Sequence, residues 1–221
     1  MSQKIRISGL YAVTPDEPDT ALLLHKVRLA LAGGTRWLQY RNKFADSALR
    51  YEQAIGLRSL VKVHAARLII NDDFALAQEI DADGVHLGSG DGSISAAREV
   101  LGPAKIIGAS CYNRPLMAFE AVAQGADYVA FGAFFPSGVK PGAARAEVEL
   151  LRTVRAMLPV PVVAIGGIRI DNAASLLAAG ADALAVISAV FAAPDIEDAA
   201  RQFSNLFQQD TPHDFAQSGT L

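Results

Sequence analysis

The stretch WLQYRNK, Trp37 to Lys43, ends an apolar run with Gln39, Arg41 and Lys43. Alternate residues of an extended chain project to the same side. An amide and two cations therefore share one face where a strand would leave its core, and such a face suits an anion. Other polar or small residues follow later apolar runs in the same way. Asn71 and Asp72 follow ARLII, Asp91 follows ADGVHLG, and Ser110 closes AKIIGAS. Lys140 lies beyond ADYVAFG, Gly166-Gly167 follows VPVVAI, and Ile187-Ser188 closes ADALAVIS. The same placement at seven consecutive run ends points to one shared site.

Asp72 and Asp91 are the most demanding pair. Two carboxylates aimed at one cavity repel each other unless protonated or bridged by a cation. Mg²⁺ is the natural bridge, because it commonly takes one or two carboxylates together with substrate phosphate oxygens. Plainer readings stand beside this one. The local pattern of Asp72 favours the N-cap of DFALAQEI, a role Asp73 can share, and Asp91 in LGSGDGS suits a turn. Gly166-Gly167 serves a tight turn or a close approach of backbone to phosphate, and Ser188 an N-cap, a phosphate contact, or both. Lys140 in FFPSGVKPGA is, by itself, an ordinary loop lysine. His86 in GVHLG fits a hydrogen-bonded strand residue better than a base. Cys111 fits a small packed residue better than a nucleophile.

The elements that would position these residues alternate. Eight near-continuous apolar runs (ISGLYAV, TRWLQYR, ARLIIN, ADGVHLG, AKIIGAS, ADYVAFG, VPVVAIGG and ADALAVIS) read as parallel strands covered on both sides. Helical patterns fill the gaps. In DTALLLHKVRLALAGG, Leu23, Val27, Ala30 and Leu31 share a face, Asp19 caps the start and Gly33-Gly34 ends it. In DNAASLLAAG the same spacing joins Ala173, Leu176, Leu177 and Gly180, and AARAEVELLRTVRAML reads as the helix before the seventh strand. This order predicts an α/β chain folded as a single-domain (β/α)₈ TIM barrel over residues 1–209, with 210–221 as a polar tail. An open doubly wound sheet is the competitor, since periodicity does not reveal closure.

Composition narrows the partners. Lys+Arg 20 against Asp+Glu 23 leaves a formal charge of −3 with no basic block, which argues against nucleic acid. No run is long and apolar enough for a membrane span, and MSQKIRISGLYAVTP lacks the apolar core of a secretory signal. Cys111 is the one cysteine, so no intramolecular disulfide forms and a cytoplasmic location is expected. Small-molecule substrates are the expected partners, and a homo-oligomer is compatible with the composition.

In order along the chain, LQYRNK, IINDDFALAQEIDADGVHLGSGD, IIGAS, ADYVAFGAFFPSGVK, PVVAIGGI and ALAVIS resemble the thiamine-phosphate synthase family, also called thiamine-phosphate pyrophosphorylase. The likeness runs from LYAVTP to Phe191, and its most specific part is the combination of ND, ADGVHLG and the following Asp. The resemblance implies a (β/α)₈ barrel that couples 4-amino-2-methyl-5-(diphosphooxymethyl)pyrimidine to a thiazole phosphate. The products are thiamine phosphate and pyrophosphate, with CO₂ as well when the acceptor is the carboxylated thiazole. The implied path is dissociative and carbocation-like, and it needs no protein nucleophile.

The resemblance also implies residue roles. Gln39, Arg41, Lys43, Asn71, Ser110 and Lys140 would bind the pyrimidine diphosphate, with Arg41, Lys43, Ser110 and Lys140 at the chemistry. Asp72 and Asp91 would hold Mg²⁺. Ser137, Gly138, Val139, Gly167, Ile187 and Ser188 would take the thiazole phosphate. Two positions depart from the family pattern: Ser137-Gly138-Val139 stands where T-x-T is usual, and Tyr112 where a histidine is frequent. A related thiazole tautomerase and an inactive ligand-binding barrel are the alternatives. The retained Asp72, Asp91, Lys140 and QYRNK count against both.

Overall fold

Each of the eight apolar runs forms a strand: β1 (Gly9–Val13), β2 (Trp37–Tyr40), β3 (Arg67–Asn71), β4 (Gly84–Leu87), β5 (Ile106–Tyr112), β6 (Tyr128–Phe131), β7 (Val162–Ile165) and β8 (Ala183–Val186). The computed structural model describes residues 7–136 and 144–208. Neighbouring strands pair in parallel, and β1 pairs with β8 as well as β2, so the sheet closes into an eight-stranded barrel. Closure excludes the open doubly wound sheet.

Helices α1 (Thr20–Ala32), α2 (Ser47–Val63), α3 (Phe74–Glu79), α4 (Ile94–Leu101), α5 (Pro115–Ala123), α6 (Val148–Met157), α7 (Ile170–Ala178) and α8 (Ser188–Phe191) follow the strands in turn, and α9 (Ile196–Asn205) comes last. In α1 the expected face is the buried one: Leu23, Val27, Ala30 and Leu31 pack inward, the Asp19 side chain accepts from Leu22 N, and Gly33 ends the helix. The α6 segment starts later than its periodicity suggests. Residues 144–146 pair with the end of the barrel instead, through Ala133 N to Ala144 O (3.0 Å) and Ala146 N to Ala133 O (2.9 Å). Strand-like bonds outcompete helix there, and α6 begins only at Val148. Among the described residues no helix is long and apolar enough to cross a membrane.

Burial on both faces of the strands explains their unbroken apolarity. One core lies between barrel and helices, with Leu38, Leu68, Ile70, Val85 and Leu184 among its members. The other fills the barrel interior with Tyr11, Val13, Trp37, Ile69, Tyr128 and Val163. The interior has little spare room. A Cβ at Gly108 would lie 2.0 Å from Tyr128 Cζ, so the tyrosine ring occupies the space a β5 side chain would need. Gly108→Ala is therefore expected to destabilise the fold by about 1–3 kcal/mol through overpacking, read as a lowered melting midpoint. A melting curve matching wild type would contradict this packing.

Candidate active site

The end of β2 keeps its alternation past the last strand residue. Gln39 points into the barrel and donates from Nε2 to Tyr11 OH (2.9 Å). Tyr40 and Asn42 point the other way, and both donate to Gln53 Oε1 on α2 (2.8 and 3.1 Å). Arg41 and Lys43 alternate with these two along the chain. The loop after β1 fixes them. Thr14 Oγ1 donates to Arg41 O and accepts from Arg41 N, both at 2.8 Å. Asp16 holds Arg41 Nη1 at 2.9 Å through Oδ2 and accepts from Lys43 N at 2.6 Å through Oδ1. The sequence reading missed Asp16, although TPD directly after a strand is a polar strand end like the others.

Asn71 closes β3, and Asp72 follows with φ +67°. This left-handed conformation is uncommon outside glycine, and such residues gather at functional sites. Asp72 is not the cap of α3. Asp73 is, with its side chain accepting from Leu76 N at 2.8 Å. The Asp72 carboxylate is left to face Asp91, whose Oδ2 also accepts from Gly88 N (2.9 Å). Asp91 therefore serves both a turn and the carboxylate pair. Burial and then the Asp91 carboxylate push Asp72 up to about 6, while Lys43, with Nζ 4.0 Å from Asp72 Oδ2, pulls the other way. One cation alone does not balance the pair.

This donor set fits Mg²⁺. Among the described residues no cluster of three or more His, Cys, Asp or Glu forms a full protein cage. Two neighbouring carboxylates on an open rim suit an ion that keeps waters and takes phosphate oxygens. Tyr40, Lys43, Arg50, Asn71 and Asp72 line one cavity of about 230 Å³. Arg50 also escaped the sequence reading, because it looks like a surface residue of α2. Its Nε is buried without a hydrogen-bond partner.

Ser110 lies at a register shift between β5 and β6. Its Oγ is 2.9 Å from His86 Nε2, and His86 Nδ1 is 2.9 Å from Tyr128 OH. His86 is a buried strand residue, as its setting in GVHLG suggests, and burial lowers it to about 4. Burial raises the Cys111 thiol to about 12, consistent with a packed, unreactive side chain. Tyr112, with φ +55°, places its hydroxyl 3.2 Å from Ser89 Oγ.

A second cavity, about 300 Å³, is lined by Pro136, Gly166, Gly167, Ile187 and Ser188. Gly167 has φ +64°, and a Cβ on it would come within 2.4 Å of Pro136 O, so glycine is required there. Ser188 is the first residue of α8 rather than its cap. Ile187 holds the cap position and makes no side-chain cap bond. The structure thus brings Gln39, Arg41, Lys43, Asn71, Asp72, Asp91 and Ser110 to one part of the rim, and Gly167, Ile187 and Ser188 to the other. Ser137, Gly138, Val139 and Lys140 lie outside the described residues.

A family model described as thiamine monophosphate synthase matches residues 10–190. The chain belongs to this family. Its members include the thiamine-phosphate synthase of Methylobacillus flagellatus, 56% identical over 201 residues that cover 91% of this chain and 96% of the relative. The thiamine-phosphate synthase of Nitrosomonas eutropha is 52% identical, covering 92% and 96%. Among solved structures, thiamine phosphate pyrophosphorylase from Pyrococcus furiosus superposes with a TM-score of 0.82 at 38% identity, over 91% of this chain and 96% of that one. The thiamine monophosphate synthase family is one of transferases in thiamine biosynthesis.

The separation of Asp72 from Asp73 is testable. Because the folded protein raises Asp72 above its ordinary 3.8 to about 6, it retains a proton that the unfolded chain releases across that interval. Stability therefore falls as pH rises through the window, and the deficit persists above it. Asp72→Asn, which tolerates the left-handed backbone, is expected to raise ligand-free stability near neutral pH by about 1 kcal/mol after solvent screening. The gain should vanish below the ordinary carboxylate range, while activity is largely lost. Asp73→Ala should instead cost about 1 kcal/mol of stability and keep activity per folded molecule. Melting curves across pH beside kinetics check both, and an unaltered pH profile in Asp72→Asn would refute the first.

Proposed function

We propose that this chain is a Mg²⁺-dependent transferase that joins the aminopyrimidine methylene of a pyrimidine diphosphate to the ring nitrogen of a thiazole phosphate, releasing pyrophosphate. Its family membership supports the reaction. The observation that carries the site is the cavity lined by Lys43, Arg50, Asn71 and Asp72, with the Asp91 carboxylate facing Asp72 and Arg41 held beside Lys43 by Asp16. Asp72 and Asp91 would hold Mg²⁺, which supplies neutralising charge to the diphosphate. The thiazole phosphate would lie across the rim, against Gly167, Ile187 and Ser188, where the second cavity gives it room. Ser137, Gly138, Val139 and Lys140 complete the proposal on the family resemblance alone.

The chemistry needs little beyond placement and charge. The C–O bond to the diphosphate breaks, its electron pair leaves with pyrophosphate, and the electron-rich aminopyrimidine stabilises the methylene cation. The thiazole nitrogen then donates its lone pair to that carbon. Arg41 meets the growing negative charge with a guanidinium already oriented by Asp16, so little reorganisation accompanies bond breaking. Lys43 and Arg50 add charge from the neighbouring helix and loop. With the carboxylated thiazole as acceptor, CO₂ would leave after coupling. The protein is expected to act in the cytoplasm.

Mixing the two substrates with the protein and Mg²⁺ should yield thiamine phosphate and pyrophosphate in equal amounts, and chelation should stop it. Absence of both products with fully folded protein would refute the reaction. Undiminished turnover in chelator would refute the metal. Arg41→Lys is expected to lower kcat/KM by about 10–100-fold, because an ammonium cannot bond Asp16 and a diphosphate in the same bidentate geometry. Arg50→Met should weaken pyrimidine diphosphate use and spare the KM for thiazole phosphate. Equal loss toward both substrates would remove Arg50 from the diphosphate cavity.

A further inference from the structure

A continuous hydrogen-bonded chain crosses the apolar interior of the barrel. It runs from Gln39 Nε2 to Tyr11 OH (2.9 Å), Tyr11 OH to Tyr128 OH (2.8 Å), Tyr128 OH to His86 Nδ1 (2.9 Å) and His86 Nε2 to Ser110 Oγ (2.9 Å). The five residues come from β2, β1, β6, β4 and β5. Tyr11 and Tyr128 are 1% exposed and His86 6%. None of these three enters the chemistry above. Burying them carries a desolvation cost that only a fully satisfied network offsets.

The proton count gives the chain a direction. The amide Nε2 of Gln39 can only donate, so Tyr11 oxygen accepts from it and turns its own hydrogen to Tyr128. Tyr128 then spends its hydrogen on His86 Nδ1. A neutral imidazole carries one N–H, which must lie on Nε2 and point to Ser110 Oγ. The Ser110 hydroxyl hydrogen is left over for whatever lies in the cavity. At the other end, Gln39 Oε1 takes no part in the chain. The opposite polarity would require Gln39 to be turned over, with His86 protonated on Nδ1.

We propose that Tyr11, Tyr128 and His86 are positioning residues that set the hydrogen-bond polarity of the pyrimidine diphosphate site, holding Gln39 as an acceptor and Ser110 as a donor. The proposal rests on the reading of Gln39 and Ser110 as contacts to that substrate. A site with this polarity takes an exocyclic amine at Gln39 and a phosphate oxygen or ring nitrogen at Ser110. A pyrimidine with an oxo group in place of the amine sets acceptor against acceptor at Gln39, and such a substrate is discriminated against.

The ligand-free, ¹⁵N-labelled enzyme decides the direction. Long-range ¹H–¹⁵N spectra, with His86 assigned by its loss in His86→Gln, should show a neutral ring protonated on Nε2 with an accepting Nδ1. An Nδ1–H ring or an imidazolium overturns the proposal. Tyr128→Phe should mix the two tautomers and raise the KM for pyrimidine diphosphate about 3–10-fold, the worth of one neutral hydrogen bond. The KM for thiazole phosphate should stay within about twofold under that same single-bond limit. In the Tyr128→Phe background, Ser110→Ala should cost less than it costs in wild type. Strict additivity, or equal rises in both KM values, overturns the positioning role and leaves only a packing one. If Tyr128→Phe does not fold, Tyr11→Phe replaces it, and the wild-type tautomer is decisive in either case. Failure of the wild type to make thiamine phosphate would count against the proposed function, while the tautomer result would stand independently.

Discussion

The pairing of β1 with β8, from Gly9 opposite Ala183 to Ala12 opposite Val186, is the constraint on which everything else depends. In an open parallel sheet the strand ends form a line, and residues from its two edges stay apart. Closure bends that line into a rim, so that Arg41 after β2 and Ser188 after β8 come to border one mouth. It also encloses an interior that must be filled by side chains from every strand, because a barrel of eight strands is a packed core rather than a pore. The rim supplies chemistry and the interior supplies rigidity, and both follow from a single set of backbone hydrogen bonds.

On that rim the carboxylates divide into two kinds. Asp16 has cationic and amide partners from the loop after β2, so its charge is used to orient Arg41 and the backbone of Lys43. Asp72 and Asp91 face one another, which leaves an electrostatic conflict within the ligand-free protein. The backbone at Asp72 adds strain to that conflict, since its left-handed φ is held by the Asp72 N to His86 O bond (2.8 Å) on one side and the Asp73 cap on the other. A cation held between the two carboxylates, as proposed above, would relieve that conflict. A binding site for charged ligands behaves this way when its groups are arranged for the complex rather than for the empty protein.

Much of this was legible in the chain before any coordinates. Unbroken apolar runs separated by amphipathic segments specify parallel strands covered on both sides; seven strands fall within the expected runs, and β5 continues two residues past its own, to Tyr112. Polar residues at successive run ends specify a common face. What escaped was of two kinds. Local competition misled where neighbouring residues were chemically alike: Asp72 and Asp73 are both good caps, and only the backbone conformation assigns the cap to Asp73. Segment 144–146 likewise has helix-forming residues that bond to Ala133 instead. Long-range partners were invisible for a different reason. Tyr11 and Tyr128 are separated by more than a hundred residues, and nothing in either apolar run says that their hydroxyls meet. Arg50 and Asp16 needed the helix orientation and the loop path.

Gly108 shows how closely the interior and the rim are coupled. In the barrel register it stands opposite His86 on β4 and opposite Tyr128 on β6. Because it has no side chain, the two rings close over it, with centroids 5.5 Å apart and planes 25° from parallel. Tyr128 in turn meets Tyr11 edge-on across the barrel, which brings the two hydroxyls within hydrogen-bonding distance. A side chain at this position would part the rings and cut the only buried polar path among the described residues that joins β2 to β5. The glycine that looks like a weak point in AKIIGAS is therefore what lets one hydrogen-bonded chain reach from an amide on one side of the mouth to a hydroxyl on the other. Packing inside the barrel and the hydrogen-bonded link between two rim residues meet at one residue.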